Sequence, residues 1–189
     1  MSDSFFDITF NEIDYSRKGL SGKEFESCIF TNCDFSNSDL THKNFIDCSF
    51  EGCNLSMTKI TDSSFRDLKF KRCKLNGVDF SQCNPFLFSA AFTDCNLSYT
   101  LFAGMELENT VFENCKLKGC DFTEANLTGA LFDTCDLEDA VFKRTNLNNT
   151  DFSSAVNFSI DPELNRLKKT KFSQSGLAGL LGKYDIIIE

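Results

Sequence analysis

The residues of this 189-residue chain best suited to metal or redox chemistry are its ten cysteines, and His42 is the only histidine. Zinc sites commonly take cysteine ligands in pairs separated by two to four residues. No CxxC pair occurs here, and a single histidine leaves no cluster to complete a metal site. His42, in THKNF, is alone and is expected to be exposed, so the sequence offers no base to pair with a nucleophile. We therefore expect no cofactor, no metal and no enzymatic activity.

The cysteines recur at intervals of twenty residues. Their periodic sets are Cys28 and Cys48; Cys33, Cys53 and Cys73; and Cys95, Cys115 and Cys135. Each lies two residues before a regularly placed residue that is usually Phe or Leu. Because free cysteine behaves as a small buried hydrophobe, we interpret the set as core filler. Disulfides and a redox switch are the alternatives, and a cytosolic protein would not rely on them.

The large apolar residues follow a period of five. Every fifth residue from Phe92 to Phe152 is Phe or Leu, and a similar register runs from Leu20 to Phe80. A period of five suits neither a straight helix nor a straight strand, so the backbone must turn a corner every five residues. Four such sides make a coil of twenty residues, and stacked coils pair as parallel strands. The pattern predicts an all-β solenoid with Phe columns on two opposite sides of its second half.

One interruption divides the repeat. Phe80 and Phe92 are twelve residues apart, so the SQCNPFLF segment carries two extra residues near 81–87, and Leu87 is expected to restart the register. Pro85 lies at this break, where the backbone does not need to donate an N–H hydrogen bond to a neighbouring strand. We predict a small bulge or loop within one continuous domain.

The repeat resembles a known family. Segments such as CDFTEANLTGALF and CKLKGCDFTEANL are similar to the A(D/N)LXX unit of pentapeptide-repeat proteins, and the resemblance covers roughly residues 20–156. It implies a right-handed quadrilateral β-helix, with a short C-terminal helical or strand segment after it. The expected organisation is a cap or degenerate coil at 1–18, the β-helix at 19–158, and a C-terminal segment at 159–189.

The C-terminal segment carries helix signals. SIDPELNRLKKTKF has Pro162 in a first turn and Lys168 near its end, and it is predicted to be helical. SQSGLAGLLGKY is expected to form a second short helix. The apolar residues that must be covered are Leu164, Leu167, Leu177, Leu180, Leu181, Ile186, Ile187 and Ile188. They cap the coil stack, form a twofold dimer contact, or do both.

With this ending, the chain resembles the quinolone-resistance and microcin-immunity branch of the family. That resemblance implies binding to a type II topoisomerase (DNA gyrase or topoisomerase IV), mimicry of duplex DNA, and a homodimer formed through the C-terminal segment. The long loops that project from some members of the branch have no counterpart in this sequence.

Charge is the feature that bears most on function. The chain has a net charge of −9, and residues 76–142 alone hold eleven acidic and two basic residues, also −9. The acidic residues are Asp79, Asp94, Glu106, Glu108, Glu113, Asp121, Glu124, Asp133, Asp136, Glu138 and Asp139. A rod lined with carboxylates presents a field similar to that of a phosphate backbone. The alternative is that these charges serve only solubility.

Two smaller patterns accompany the acidic residues. A basic cluster consists of Arg66, Lys69, Lys71, Arg72 and Lys74. Because the total charge opposes direct nucleic-acid binding, we expect it to form salt bridges across coils or to contact an acidic partner. Apolar residues stand directly before the large Phe at Ala91, Val111 and Leu131 on one side, and at Leu101 and Val141 on the opposite side. They form a weak protein contact or pack along the ladder.

The N-terminus lacks a basic region followed by an apolar core, and no apolar run reaches the roughly 20 residues that span a bilayer. We expect a cytoplasmic protein without a membrane contact. The leading hypothesis is a non-enzymatic dimer that binds a type II topoisomerase by acidic mimicry. The second is a structural or scaffold repeat protein with another protein partner.

Overall fold

The computed structural model describes residues 3–184 and 186–187. They wind into a β-solenoid of about eight turns, which confirms the predicted fold class. The strands are β1 (Ser4–Phe6), β2 (Thr9–Asn11), β3 (Glu24–Glu26), β4 (Ile29–Thr31), β5 (Asn44–Ile46), β6 (Ser49–Glu51), β7 (Ser64–Arg66), β8 (Leu68–Lys71), β9 (Ala90–Thr93), β10 (Val111–Glu113), β11 (Leu131–Asp133), β12 (Asp151–Phe152) and β13 (Lys171–Phe172). The helices are α1 (Tyr15–Lys18) and the 3₁₀ helices Phe80–Gln82, Ser175–Leu180 and Gly182–Tyr184.

All strand pairs are parallel and join neighbouring coils. A long sheet has the order β13-β12-β11-β10-β9-β8-β6-β4-β2, and a short sheet has the order β1-β3-β5-β7. The register advances by twenty residues, so that Phe112 lies opposite Phe132. Outside the two sheets, isolated parallel β-bridges also join residues twenty positions apart, such as Asp121 and Val141. Each coil is therefore the hydrogen-bonding template for the next.

A coil has four sides, which we number 1 to 4 by their inward residues. In one C-terminal coil these residues are Leu107, Phe112, Leu117 and Phe122, all of them buried. The long sheet forms side 2 along the stack, and the short sheet forms side 1 of the N-terminal half. Sides 3 and 4 consist of single bridges and turns, together with α1 on side 3 and the 3₁₀ helix Phe80–Gln82 on side 4.

Stacked aromatic rings fill the core. On side 2 the phenylalanine rings stack from Phe10 to Phe172, with centroid spacings of 4.8 to 5.6 Å. On side 4 the rings from Phe80 to Phe142 stack at 5.0 to 5.3 Å. The two columns meet edge to face: the centroids of Phe112 and Phe122 are 6.1 Å apart, and their ring planes cross at 81°. The predicted Phe columns on opposite sides are confirmed.

The inward position two residues before each large residue holds small side chains. All ten cysteines are free and buried there. All of these thiols except that of Cys83 donate to backbone carbonyls of the preceding coil, as Cys120 Sγ does to Leu97 O at 2.9 Å. Threonine hydroxyls do the same, as Thr150 Oγ1 does to Leu127 O at 2.8 Å. The structure thus agrees with the core-filler interpretation.

The break in the repeat lies slightly later than predicted. Ser64 still bridges Asn84 at an interval of twenty, whereas Leu68 pairs with Ala90 at twenty-two. The two extra residues therefore fall between Asn84 and Ala90. The expectation that Leu87 restarts the register is wrong, because Leu87 is exposed and Phe88 packs against the core instead.

The predicted helix over SIDPELNRLKKTKF is wrong. These residues continue the coil: Arg166 bridges Asn146, and β13 pairs with β12. Leu167 and Phe172 lie twenty residues after Leu147 and Phe152, so the parallel ladder outweighs the local helix signals. The following segment is helical as predicted, but it forms 3₁₀ helices.

The N-terminal residues form a first coil through β1 and β2. Asp14 caps α1 by accepting a hydrogen bond from the Ser16 N–H, and Gly19 N–H returns to the Tyr15 carbonyl. Within the described ranges, no helix has the length and apolar character needed to cross a membrane.

Candidate functional site

The corners of the coil determine where many surface charges project. Residues two positions after the inward residue adopt left-handed backbone, including Asp94 (φ 56°), Glu124 (φ 61°) and Asp139 (φ 58°). Asn, Asp and Gly tolerate this conformation best, which favours short polar residues at corners. The repeat therefore places carboxylates both along the sides and at the edges between them.

The eleven predicted acidic residues form a band around all four sides of the stack. Seven are exposed, four are half-buried, and none is buried. By position, Glu106 and Glu108 lie on side 1; Glu113 and Asp133 on side 2; Asp136 and Glu138 on side 3; Asp79 and Asp121 on side 4; and Asp94, Asp139 and Glu124 at the corners that follow sides 2, 3 and 4. The structure brings them together in one band and does not concentrate them on a single face.

Basic residues neutralise part of this band. Arg144 forms an ion pair with Glu124 one coil away. Lys118 Nζ lies 2.9 Å from Glu138 Oε2 and 3.8 Å from Asp139 Oδ2. These side chains are substantially exposed, so each pair contributes little to stability. Their main effect is to lower the net charge of sides 3 and 4.

The other eight carboxylates of the band accept hydrogen bonds from uncharged donors, and on side 1 Glu106 and Glu108 both accept from Asn126 Nδ2, at 2.7 and 2.8 Å. We call Asp94, Glu113, Asp133 and Asp136 the acidic corner, because they lie on side 2 and at its junction with side 3. Asp94 Oδ1 accepts from Asn114 Nδ2 at 2.6 Å, and Glu113 Oε2 from Thr93 Oγ1 at 3.3 Å. None of the four forms an ion pair with any residue that the structure describes.

The other two carboxylates of the acidic corner are positioned from the next coil. Asp133 Oδ1 accepts from Ser154 Oγ at 2.7 Å, and Asp136 Oδ1 accepts from Asn157 Nδ2 at 2.8 Å. An uncharged donor orients a carboxylate without cancelling its charge. Sequence reasoning missed these donors, although their interval of twenty-one residues marks them as neighbours in the next coil.

An opening of about 370 Å³ lies beside the acidic corner, lined by residues that include Asp94, Asn114, Lys116 and Asp136. Lys116 is the one base in this lining, and it makes no ion pair among the described residues.

The apolar residues that directly precede the inward Phe lie on sides 2 and 4, as the period of the repeat predicts. Val111 lies between Ala91 and Leu131 on side 2, in register with both. We call these three residues the apolar column. Leu101 and Val141 occupy the same repeat position on side 4, where both bridge Asp121. Val111 and Val141 are 37% and 44% exposed, so the two sites are closely matched.

The basic cluster lies in the coil that precedes the break. Lys69 and Lys71 project from β8 on side 2, directly beside β9. Arg72 forms an ion pair with Glu51 of the preceding coil, as expected for a salt bridge across coils. The cluster therefore marks the N-terminal boundary of the acidic band on side 2.

Three of the buried thiols resist ionisation. Burial raises the pKa of Cys48, Cys83 and Cys120 to about 12, because the thiolate would lose its hydration. His42 is exposed, and its Nδ1 is 3.7 Å from Asp62 Oδ2. Among the described residues, no group of three or more Cys, His, Asp or Glu side chains is arranged to hold a metal ion.

The predicted cap and dimer residues divide into two groups. Leu167 and Leu180 are half-buried and pack against the core. Ile188 lies outside the described residues. The remaining residues are exposed by 36% to 90%: Leu164, Leu177, Leu181, Ile186 and Ile187. The same segment thus supplies both a covering contact and an outward apolar surface.

Comparison with known proteins covers nearly the whole chain. The family model described as the pentapeptide repeat region matches residues 23–85 and 86–180. No sequence among the curated proteins matches. The solved structure of a trypsin-treated single-residue variant of QnrB1, a plasmid-mediated fluoroquinolone resistance protein, is similar with a TM-score of 0.63 and 21% identity over 100% of both chains. HetL from the cyanobacterium Nostoc sp. strain PCC 7120 is similar with a TM-score of 0.50 and 15% identity, over 93% of this chain and 87% of HetL.

Proposed function

This chain belongs to the pentapeptide-repeat family, and we propose that it is a non-enzymatic binding protein that occupies the DNA-binding surface of a type II topoisomerase. It does so by presenting its acidic band in place of duplex DNA. The partner is DNA gyrase or topoisomerase IV.

The observation that carries the proposal is the charge density of the band. Residues 76–142 span a little more than three coils, or about 16 Å of the stack at ~4.8 Å per coil. Their net charge of −9 corresponds to about one negative charge per 1.7 Å, similar to the value of ~1.7 Å for duplex DNA. A surface that binds duplex DNA would therefore meet a comparable charge per unit length.

The fixed positions of the carboxylates add to this argument. Asn114 and Asn157 donate to Asp94 and Asp136 and restrict their movement. A partner consequently has fewer side chains to immobilise when it binds, which lowers the entropic cost of association. Charges intended only for solubility would not require such donors.

The comparison with QnrB1 supports the same proposal. That protein is a fluoroquinolone resistance protein, and its fold is shared over the full length of both chains. At 21% identity the likeness establishes the fold alone. The partner is proposed from that shared fold, the C-terminal resemblance noted above and the charge density together.

We further propose a homodimer formed through the C-terminal segment. Leu177, Leu181 and Ile187 are large apolar side chains exposed to solvent near the end of the stack. An exposed apolar group of this kind is typical of a protein–protein contact. Sedimentation equilibrium of the full chain is expected to give twice the chain mass, and a monomer would contradict the dimer.

A supercoiling assay tests the proposed function. Purified gyrase is incubated with relaxed plasmid and ATP, with and without the full chain, and with and without a quinolone. We expect inhibition of supercoiling or relief from the drug, and weaker binding as the salt concentration rises. Loss of all three effects, including direct binding, would exclude the proposal.

A scaffold function with another protein partner is the second candidate. The observation in its favour is the likeness to HetL, a pentapeptide-repeat protein involved in the regulation of heterocyst differentiation. A native pull-down that recovers a defined partner but no topoisomerase subunit would favour this candidate.

A further inference from the structure

Side 2 combines an apolar column on the three strands β9 to β11 with carboxylates on two of them, β10 and β11. In β10 and β11, Val111 and Leu131 stand before the buried Phe, while Glu113 and Asp133 stand after it. Because alternate residues of a strand point to the same face, all four project outward. The two rows are about 7 Å apart, and members of one row are about 4.8 Å apart.

The opposite side lacks this combination. On side 4, Leu101 and Val141 are separated by Asp121, so the apolar surface is interrupted. The next acidic residue, Glu124, is paired with Arg144. Side 4 therefore presents isolated apolar groups beside a partly neutralised surface.

The combined surface has defined limits along the stack. Lys69 of β8 is the neighbour of Ala91 at one end. At the other end Leu131 is followed by Asp151, which is paired with Lys171 at 2.9 Å. The apolar column thus spans three coils, and charged residues bound it at both ends.

We propose that side 2 between Ala91 and Leu131 is the contact face, and that the partner inserts apolar side chains against the apolar column while its basic side chains meet the acidic corner. This inference rests on the proposed function and specifies which side of the band is used. The occupant is a basic protein surface with apolar groups between its charges.

Two physical arguments favour this side. The carboxylates of the acidic corner are oriented and, among the described residues, unpaired, so they attract a basic surface more strongly than the paired acids Glu124, Glu138 and Asp139. Glu106 and Glu108 of side 1 are also unpaired within the described part of the chain, but Glu106 is followed along the ladder by Asn126 and has no apolar column beside it. Val111 is 37% exposed and Leu131 is half-buried, so contact would remove further apolar surface from water. A protein that mimicked DNA by charge alone would gain no binding free energy from Val111 and Leu131.

The chain supplies a matched pair of variants. Val111→Glu and Val141→Glu change the same residue type at the same repeat position on opposite sides, and each adds one negative charge. Binding of the full chain to purified gyrase holoenzyme is measured for both, with thermal unfolding as the check that the fold is intact. We expect Val111→Glu to weaken binding at least tenfold and Val141→Glu to change it less than twofold.

The outcomes separate the inference from the function it rests on. Equal effects of the two variants, or tighter binding by Val111→Glu, would overturn the choice of side 2 while the native chain still binds gyrase. If the native chain does not bind, the proposed function fails and this inference fails with it. If Val111→Glu proves unstable, Val111→Thr and Val141→Thr provide the same comparison with a smaller expected loss.

A second pair tests the carboxylates. Glu113→Gln removes an unpaired charge of the acidic corner, whereas Glu124→Gln removes a charge already paired with Arg144. We expect Glu113→Gln to reduce the affinity at least threefold and Glu124→Gln to have a smaller effect. The reverse order would contradict the assignment of side 2.

Discussion

Cys135 Sγ donates a hydrogen bond to the carbonyl oxygen of Phe112, 3.3 Å away in the preceding coil. Cys115 makes the equivalent bond to Phe92 at 3.4 Å, again at an interval of twenty-three residues. The inward small residue is therefore more than a spacer, because its thiol or hydroxyl supplies a donor to the backbone of the neighbouring coil. Serine, threonine and cysteine can all occupy the position for this reason.

Ser38 is the informative exception. It occupies the same inward position, but its Oγ is buried without a hydrogen-bond partner among the described residues. The interval of twenty-three residues leads to the carbonyl of Tyr15, with which the Ser38 hydroxyl forms no hydrogen bond. We expect Ser38→Ala to raise the free energy of unfolding by about 1 kcal/mol, since an unpaired buried hydroxyl is costly.

Ser63→Ala is the matched control. The Ser63 hydroxyl donates to the Leu40 carbonyl, so its removal should lower the free energy of unfolding by about 1 kcal/mol. Urea unfolding of both variants measures the difference. A loss of stability in Ser38→Ala would contradict the assignment.

The break in the repeat predicts opposite results for two nearby aromatic positions. Phe86 is 74% exposed, and Phe86→Ala should change the free energy of unfolding by less than ~0.5 kcal/mol. Phe88 packs on the core and meets the Phe80 ring at 5.7 Å, so Phe88→Ala should cost about 2 to 3 kcal/mol. Equal costs in chemical denaturation would show that the register around the break is different.

The buried thiols predict a fall in stability at high pH. The pKa of Cys120 is raised from its ordinary 9.0 to about 12 by burial. Below pH 9 the thiol is protonated in both states and stability is unaffected by it. Between pH 9 and 12 only the unfolded thiol ionises, so unfolding is favoured by roughly 1.4 kcal/mol per pH unit for this group.

Cys120→Ser provides the control for this pH dependence, because serine does not titrate in the range. The free energy of unfolding of the native chain and of Cys120→Ser is measured from pH 7 to 11. The variant should lose stability less steeply above pH 9. Parallel curves would mean that the Cys120 thiol ionises equally well in the folded state.

The C-terminal segment predicts a different kind of defect. A Cβ at Gly179 would lie 2.3 Å from the Phe158 carbonyl oxygen, whereas one at Gly182 would meet only Ser159 Oγ at 3.4 Å. Gly179→Ala should displace the 3₁₀ helix Ser175–Leu180 and increase its cleavage by protease, and Gly182→Ala should not. Because the proposed dimer uses this segment, Gly179→Ala should also shift sedimentation towards the monomer. Retention of both the native cleavage pattern and the native mass would contradict this prediction.

Much of this architecture could be predicted from intervals in the sequence alone. The period of five identified the inward residues, and the interval of twenty identified the columns. The prediction of a C-terminal helix was wrong because it relied on local signals, namely Pro162 and the lysines after it. The residues that fit the coil do so only when they are compared with residues twenty positions earlier: Asn165, Leu167, Thr170 and Phe172. In this segment, backbone pairing with the preceding coil determined the structure.

The surface was less predictable for a related reason. The acidic residues could be counted, but their net charge depends on which bases lie in the adjacent coil. Arg144 follows Glu124 by twenty residues, so that pair was accessible from the period. The donor to Asp136 is Asn157, whose side-chain direction depends on a left-handed backbone (φ 60°) that its position in the repeat does not predict.

The constant interval of twenty also makes the coil a natural unit of length. Duplication of one whole coil between Leu131 and the C-terminal segment would leave every surface residue intact and would separate the two by about 4.8 Å more. In a twofold dimer the distance between the two acidic corners would then grow by about 10 Å, twice the spacing of one coil. In the proposed dimer, the number of coils would therefore set the distance between the two proposed binding surfaces without changing either one.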